Sequence, residues 1–201
     1  AVADVVDAPA VEAMAQGALK KFGRIDYLIN NAALRQEKAI EHMSFEDWRA
    51  IIGVTLDGAF HCIKACLESI KKSDAGSIIN IGGLTGAMGA PDRAHVVTAK
   101  AGVAGLTRAL AMELAPHGVR VVATAPGGTE APPRRIPRGP APESDEEKQW
   151  YQTIVDQTVD SSLLKRYGTL DEQAAAICFV ASPEASYITG TVLPVAGGDL
   201  G

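Results

Sequence analysis

Four short apolar runs, at 25–30, 77–81, 119–125 and 189–195, are separated by stretches long enough to hold helices. That alternation constrains the fold more than any other feature of the chain. Strands joined through helix-length segments pair in parallel by right-handed crossovers. A run such as Ser77-Ile78-Ile79-Asn80-Ile81 is nearly continuous in apolar residues, as a strand buried on both faces would be. The helices between the runs have readable ends. Residues 9–23 carry Val11, Met14, Ala15 and Ala18 at helical spacing, with Gly23 as the C-cap. Ser44-Phe45-Glu46-Asp47 is patterned as a capping box and opens a long helix to about Lys72, which Ala75-Gly76 breaks. A second long helix covers 92–115, closed by Pro116-His117-Gly118. Ser144 with Glu147 predicts a helix to about Leu163, and Thr169 with Glu172 another to about Ala181. The expectation is an α/β fold: a parallel sheet covered on both faces, with helices 45–72 and 92–115 side by side.

A chain of 201 residues suits one domain, 1–201, with a core large enough to need no disulfide or metal. A formal charge of −5 gives no reason to expect nucleic acid or a membrane surface as partner. Cys62, Cys66 and Cys178 form no metal-ligand pattern and read as reduced helix residues of a cytosolic protein. No apolar run reaches the roughly 18 residues that span a bilayer. No signal peptide is recognisable, so a cytoplasmic location is expected. The opening Ala1-Val2-Ala3-Asp4-Val5 looks like the end of a buried strand, from which an upstream segment is expected. Between 126 and 142, prolines are dense and Arg134, Arg135 and Arg138 stand among them, which predicts an irregular basic loop.

Motifs along nearly the whole chain, from about Asp4 onward, resemble the short-chain dehydrogenase/reductase family. Asp4-Val5 matches the family's acidic pair at the adenine. Asn30-Asn31-Ala32-Ala33 matches its Asn-Asn-Ala-Gly turn beside the cofactor, with Ala33 where glycine is usual. Pro126-Gly127, followed by Gly128 and Thr129, matches the turn that contacts the nicotinamide. The segments 123–135, 154–158, 165–168 and 185–190 resemble the members that oxidise benzoate cis-diols. The resemblance implies a Rossmann-like doubly wound parallel sheet, here lacking its first two strands and most of its third. It also implies NAD or NADP as cofactor, with NAD favoured, a small-molecule substrate and an oligomer. The family's glycine-rich pyrophosphate loop has no counterpart in the chain, which predicts impaired cofactor binding.

The family's catalytic set is largely replaced. Its Tyr-x-x-x-Lys falls on Val96 and Lys100, its Ser on Gly83 and its Asn on Thr55. Oxidising a carbinol requires removal of the hydroxyl proton along with the hydride. A tyrosine with a free pKa near 10 is a poor base until a nearby ammonium favours its phenolate. Valine has no proton to exchange, so Lys100 keeps only ribose binding and its field. His95 has the pKa range for a substitute. Yet neighbours on a helix differ by about 100° in direction, so it is predicted to point elsewhere as a surface or helix-start residue. Thr85 reads as a turn residue. Arg134 and Arg135 are candidates for a substrate carboxylate. Three readings remain open: an oxidoreductase working through rearranged residues, a non-catalytic subunit paired with an intact relative, or a ligand-binding module.

Overall fold

A computed structural model describes residues 1–130 and 144–199. Four parallel strands, β1 (Tyr27–Asn30), β2 (Ser77–Ile81), β3 (Arg120–Pro126) and β4 (Val192–Val195), lie in the order β1-β2-β3-β4. The expected runs are thus all strands, three of them starting later than expected. Ile25 is held outside the ladder by Ser69, whose hydroxyl accepts from its N–H at 2.7 Å and donates to its carbonyl at 3.1 Å. Thr189 likewise uses its hydroxyl to accept from the Val121 N–H at 3.0 Å.

Successive residues of a strand face opposite sides, and the two faces are covered differently. Ile78 and Val121 are buried under α1 (Ala8–Phe22), α3 (Gly58–Ile70) and α5 (Ala94–Leu114), in one core with Ile63, Ile70 and Leu114. Ile79 and Val122 pack instead against Val180 of α7 (Leu170–Ala181). Arg120 holds α7 in place by donating to the carbonyls of Val180 at 2.6 Å and of Ala181 and Ser182 at 3.0 Å. Val180 and Ala181 end the helix, where carbonyls lack an intrahelical partner, and Ser182 is its C-cap. The capping boxes at Ser44/Asp47 and Thr169/Glu172 both form. The Glu147 half of the third lies outside the described side chains, although a helix, α6 (Asp145–Ser161), does follow Ser144.

Several expectations are corrected. The helix opened by Ser44 is α2 (Phe45–Ile52), a π turn over Gly53–Asp57, and then α3. Together they form one continuous helix, Phe45–Ile70, which is long and apolar enough to cross a bilayer by length and composition, although no single apolar run was that long. In its most apolar window 44% is buried inside the domain. A short helix, α4 (Thr85–Met88), was not expected. Residues 1–4 form no strand, and Val2 is fully exposed. Val5 turns onto the long helix instead, its carbonyl 2.9 Å from His61 Nδ1. Gly58 makes that approach possible, since a Cβ there would sit 2.6 Å from the Val5 side chain.

Candidate functional site

The loops after β1, β2 and β3 meet at the C-terminal edge of the sheet, where ligands of open parallel α/β sheets bind. Lys100 reaches this edge from α5. Ala99, Val103 and Thr107 anchor that helix in the core, and Gly86 lets α4 lie against it, since a Cβ there would meet the Lys100 backbone at 2.9 Å. The Lys100 ammonium donates to the Ile81 carbonyl at 2.7 Å. Burial pushes its pKa down to about 8. Among the described residues, no carboxylate lies within ion-pair range of it.

The other three positions that the resemblance assigns are Val96, Gly83 and Thr55. Val96 is buried in an apolar cluster with Ile51, Ile52 and Ala99, flanked by Trp48 and Leu56. At Gly83 a Cβ would make ordinary van der Waals contacts with the Lys100 chain at 3.7 and 3.8 Å and with Thr85 Oγ1 at 3.8 Å. Thr85, expected in a turn, opens α4 with its hydroxyl beside Gly83. Thr55 lies in the π turn, buried, with no hydrogen-bond partner for its Oγ1. Such turns concentrate at functional sites because the extra residue re-aims side chains.

His95 does stand in the first turn of α5, but it is fully buried rather than on the surface. The chain from Lys38 to Asp47 closes over this helix end, with Lys38 N–H donating to the Asp92 carbonyl at 2.6 Å. Neither ring nitrogen of His95 has a hydrogen-bond partner, and burial pushes its pKa down.

Asn30, at the end of β1, donates through Nδ2 to Asn80 Oδ1 at 2.8 Å. Asn80 donates in turn to Thr107 Oγ1 at 2.9 Å, and Thr107 to the Val103 carbonyl at 2.8 Å. This chain ties the Asn-Asn-Ala-Ala turn to α5 through residues that no motif had marked. Ala32 and Ala33 are exposed at that turn. Asp4 is exposed and its carboxylate accepts from the Val6 N–H at 3.2 Å, so Asp4 and Val5 form a turn against the long helix. Gly127 and Gly128 follow β3, and the Gly128 backbone lies so close to Tyr167 that a Cβ would meet its ring at 2.7 Å. Thr129 Oγ1 donates to the Gly127 carbonyl and accepts from Gln173. Arg134, Arg135 and Arg138 lie outside the described residues.

A dinucleotide fits this edge in part. The Lys100 ammonium has one hydrogen-bond acceptor among the described residues and N–H groups to spare for ribose hydroxyls. The Pro126-Gly127 turn lies at the same edge of the sheet. Among the described residues, none builds a glycine-rich strand-to-helix cradle for the pyrophosphate.

A family model described as enoyl-(acyl carrier protein) reductase matches residues 1–199. A 1,6-dihydroxycyclohexa-2,4-diene-1-carboxylate dehydrogenase of Pseudomonas putida is 48% identical over 185 residues, 92% of this chain and 68% of that protein. One of the same name from Acinetobacter baylyi is 45% identical over 191 residues, 94% of this chain and 72% of that protein. The crystal structure of a short-chain dehydrogenase/reductase described as glucose/ribitol dehydrogenase, from Brucella melitensis, superposes with a TM-score of 0.83 at 33% identity. It covers 98% of this chain and 73% of that one.

Proposed function

The chain belongs to the short-chain dehydrogenase/reductase family, and we propose that its site is shaped for a cis-dihydrodiol carboxylate and NAD but turns over little or not at all. The observation that carries this reading is Lys100 at the sheet edge with Val96 and Gly83 around it. The lysine can hold ribose hydroxyls, with Pro126, Gly127 and Thr129 beside the nicotinamide and Asn30 bracing the sheet turn. Bound there, the nicotinamide supplies the hydride acceptor. The chain's own residues leave the carbinol proton without a tyrosine to take it and the carbinol oxygen without a serine to hold it. Loss of general acid–base assistance alone is typically worth about 10²–10⁴-fold.

A second reading, a non-catalytic subunit paired with another short-chain dehydrogenase or with itself, draws support from the surface. Phe60 of α3 and Met112 of α5 are more than half exposed, and the free edge of β1 leaves Ile29 47% exposed.

Two measurements test the proposal: NADH formation from the diol, and NADH binding followed by its fluorescence. The reading expects diol oxidation near background. Restoring Val96→Tyr, Gly83→Ser and Thr55→Asn together is expected to leave turnover low in this chain, because none of the described residues builds a glycine-rich cradle for the pyrophosphate. Fast turnover by the unmodified chain sinks the reading.

A further inference from the structure

Two guanidinium groups share one carboxylate where the loops after β1 and β2 meet. Glu37 Oε1 lies 2.8 Å from Arg35 Nη2 and 2.8 Å from Arg93 Nη2. Arg35 and Glu37 belong to the segment after β1, and Arg93 ends the segment after β2. The Lys38–Asp92 backbone bond locks the two together. Both segments leave the C-terminal ends of adjacent parallel strands, so the cluster stands at the edge where the candidate site lies.

Arg93 is the unusual member. Its side chain is only 17% exposed, and its Nε is buried with no hydrogen-bond partner. A guanidinium carries five N–H donors in a planar fork, and leaving them unpaired in a partly buried place is costly. Burial and the neighbouring Arg35 both disfavour its charge, while Glu37 and Asp92 favour it. Nearby, Lys38 pairs with Asp47 at 2.6 Å and so cancels its own charge. His95, against the same pair, has its pKa pushed down. The cluster therefore holds two guanidinium groups on one shared carboxylate, with Arg93 Nε unpartnered.

Its place along α5 gives that guanidinium a use. Arg93 immediately precedes the helix, and Val96 and Lys100 follow about one and two turns later. At 1.5 Å per residue, Arg93 and Lys100 are separated by about 10 Å along the axis. A small carboxylated ring bridges that span once the reach of both side chains is counted. The first turn of α5 has no side-chain cap, so its N–H groups add partial positive charge at the same end.

We propose that Arg93, braced by Glu37 and backed by Arg35, is the residue that receives the carboxylate of the ring-bearing ligand at this site. The inference rests on the reading of the site as one for a carboxylated ring, and it gives the anion-binding role to the β2–α5 loop rather than to Arg134 or Arg135. A planar fork matches a carboxylate with two parallel hydrogen bonds, a geometry that lysine cannot reproduce.

The test uses benzoate and its neutral isostere benzamide as probes, titrated into the full chain and followed by calorimetry and by chemical-shift changes. The unmodified chain is expected to prefer benzoate by at least about tenfold, which corresponds to about 1.4 kcal/mol. Arg93→Gln is expected to erase that preference by weakening benzoate more than benzamide, and Arg93→Lys to retain only part of it. Melting curves of both variants identify any loss that comes from unfolding, and Arg93→Lys carries the test if the glutamine variant fails to fold. If both probes bind and the preference survives in both variants, Arg93 is not the anchor, although the ring site stands. If neither probe binds the unmodified chain, the carboxylated-ring reading falls and this inference with it.

Discussion

The Lys100 ammonium donates to the Ile81 carbonyl at 2.7 Å, about one helical turn from a valine that cannot exchange protons with it and five residues along the helix from a histidine. This ammonium has one carbonyl partner among the described residues, and burial makes it an electrostatic burden that lowers its pKa from 10.5 to about 8. In a family site the lysine acts on a neighbouring phenol and on the cofactor. Here an apolar cluster surrounds Val96, the position that the resemblance gives to the phenol.

The burden is measurable. Between pH 8 and 10.5 the folded chain has released the Lys100 proton and the unfolded chain still holds it, so stability should rise with pH across that window. Lys100→Met removes the ammonium and keeps most of the volume. The shift is worth about 3 kcal/mol, and the lost hydrogen bond offsets about 1 kcal/mol. The variant should melt a few degrees higher at pH 7, and that advantage should shrink towards pH 10.5. An unchanged or lower melting temperature at pH 7 would show that the lysine is not a destabilising charge.

Asn80 joins Asn30 to Thr107 inside the sheet. Asn80→Ala deletes two hydrogen bonds and opens a small void under the turn after β1. The expected cost is about 2–3 kcal/mol, read as a lower urea midpoint with an unchanged slope. A loss under about 0.5 kcal/mol would mean that the Asn-Asn-Ala-Ala turn is held by its backbone alone.

The free edge of β1 should mediate association. Tyr27 and Ile29, with Ile177, Cys178 and Ala181 of α7, line an apolar groove of about 330 Å³ beside strand backbone that has no ladder partner among the described residues. Exposed edges pair with other chains unless charge or a bulge blocks them. Sedimentation of the unmodified chain should report oligomers or aggregates, and Ile29→Lys should shift the population towards monomer. A monodisperse, thermally stable monomer before any substitution would contradict this.

Much of the fold was readable from local chemistry. The strands announced themselves through apolar runs, and the Ser44 and Thr169 caps through pairs spaced by three residues. What escaped was set by tertiary packing. Gly53–Asp57 carries no local mark of a π turn. His95 looked like a surface residue because nothing near it in sequence says that the 38–47 segment closes over it. Asn80 read as one polar residue in a strand, and its two partners lie 50 and 27 residues away. The position of Lys100 was legible only by resemblance, and its lone carbonyl partner only from the fold.

The most direct test of the account is NADH formation from a cis-dihydrodiol carboxylate by the unmodified chain, with a His95→Ala variant measured alongside. With valine and glycine where the tyrosine and serine belong, the account predicts a rate near background that His95→Ala leaves unchanged. Robust turnover by the unmodified chain, abolished by His95→Ala, would contradict it and place the proton transfer on the buried histidine.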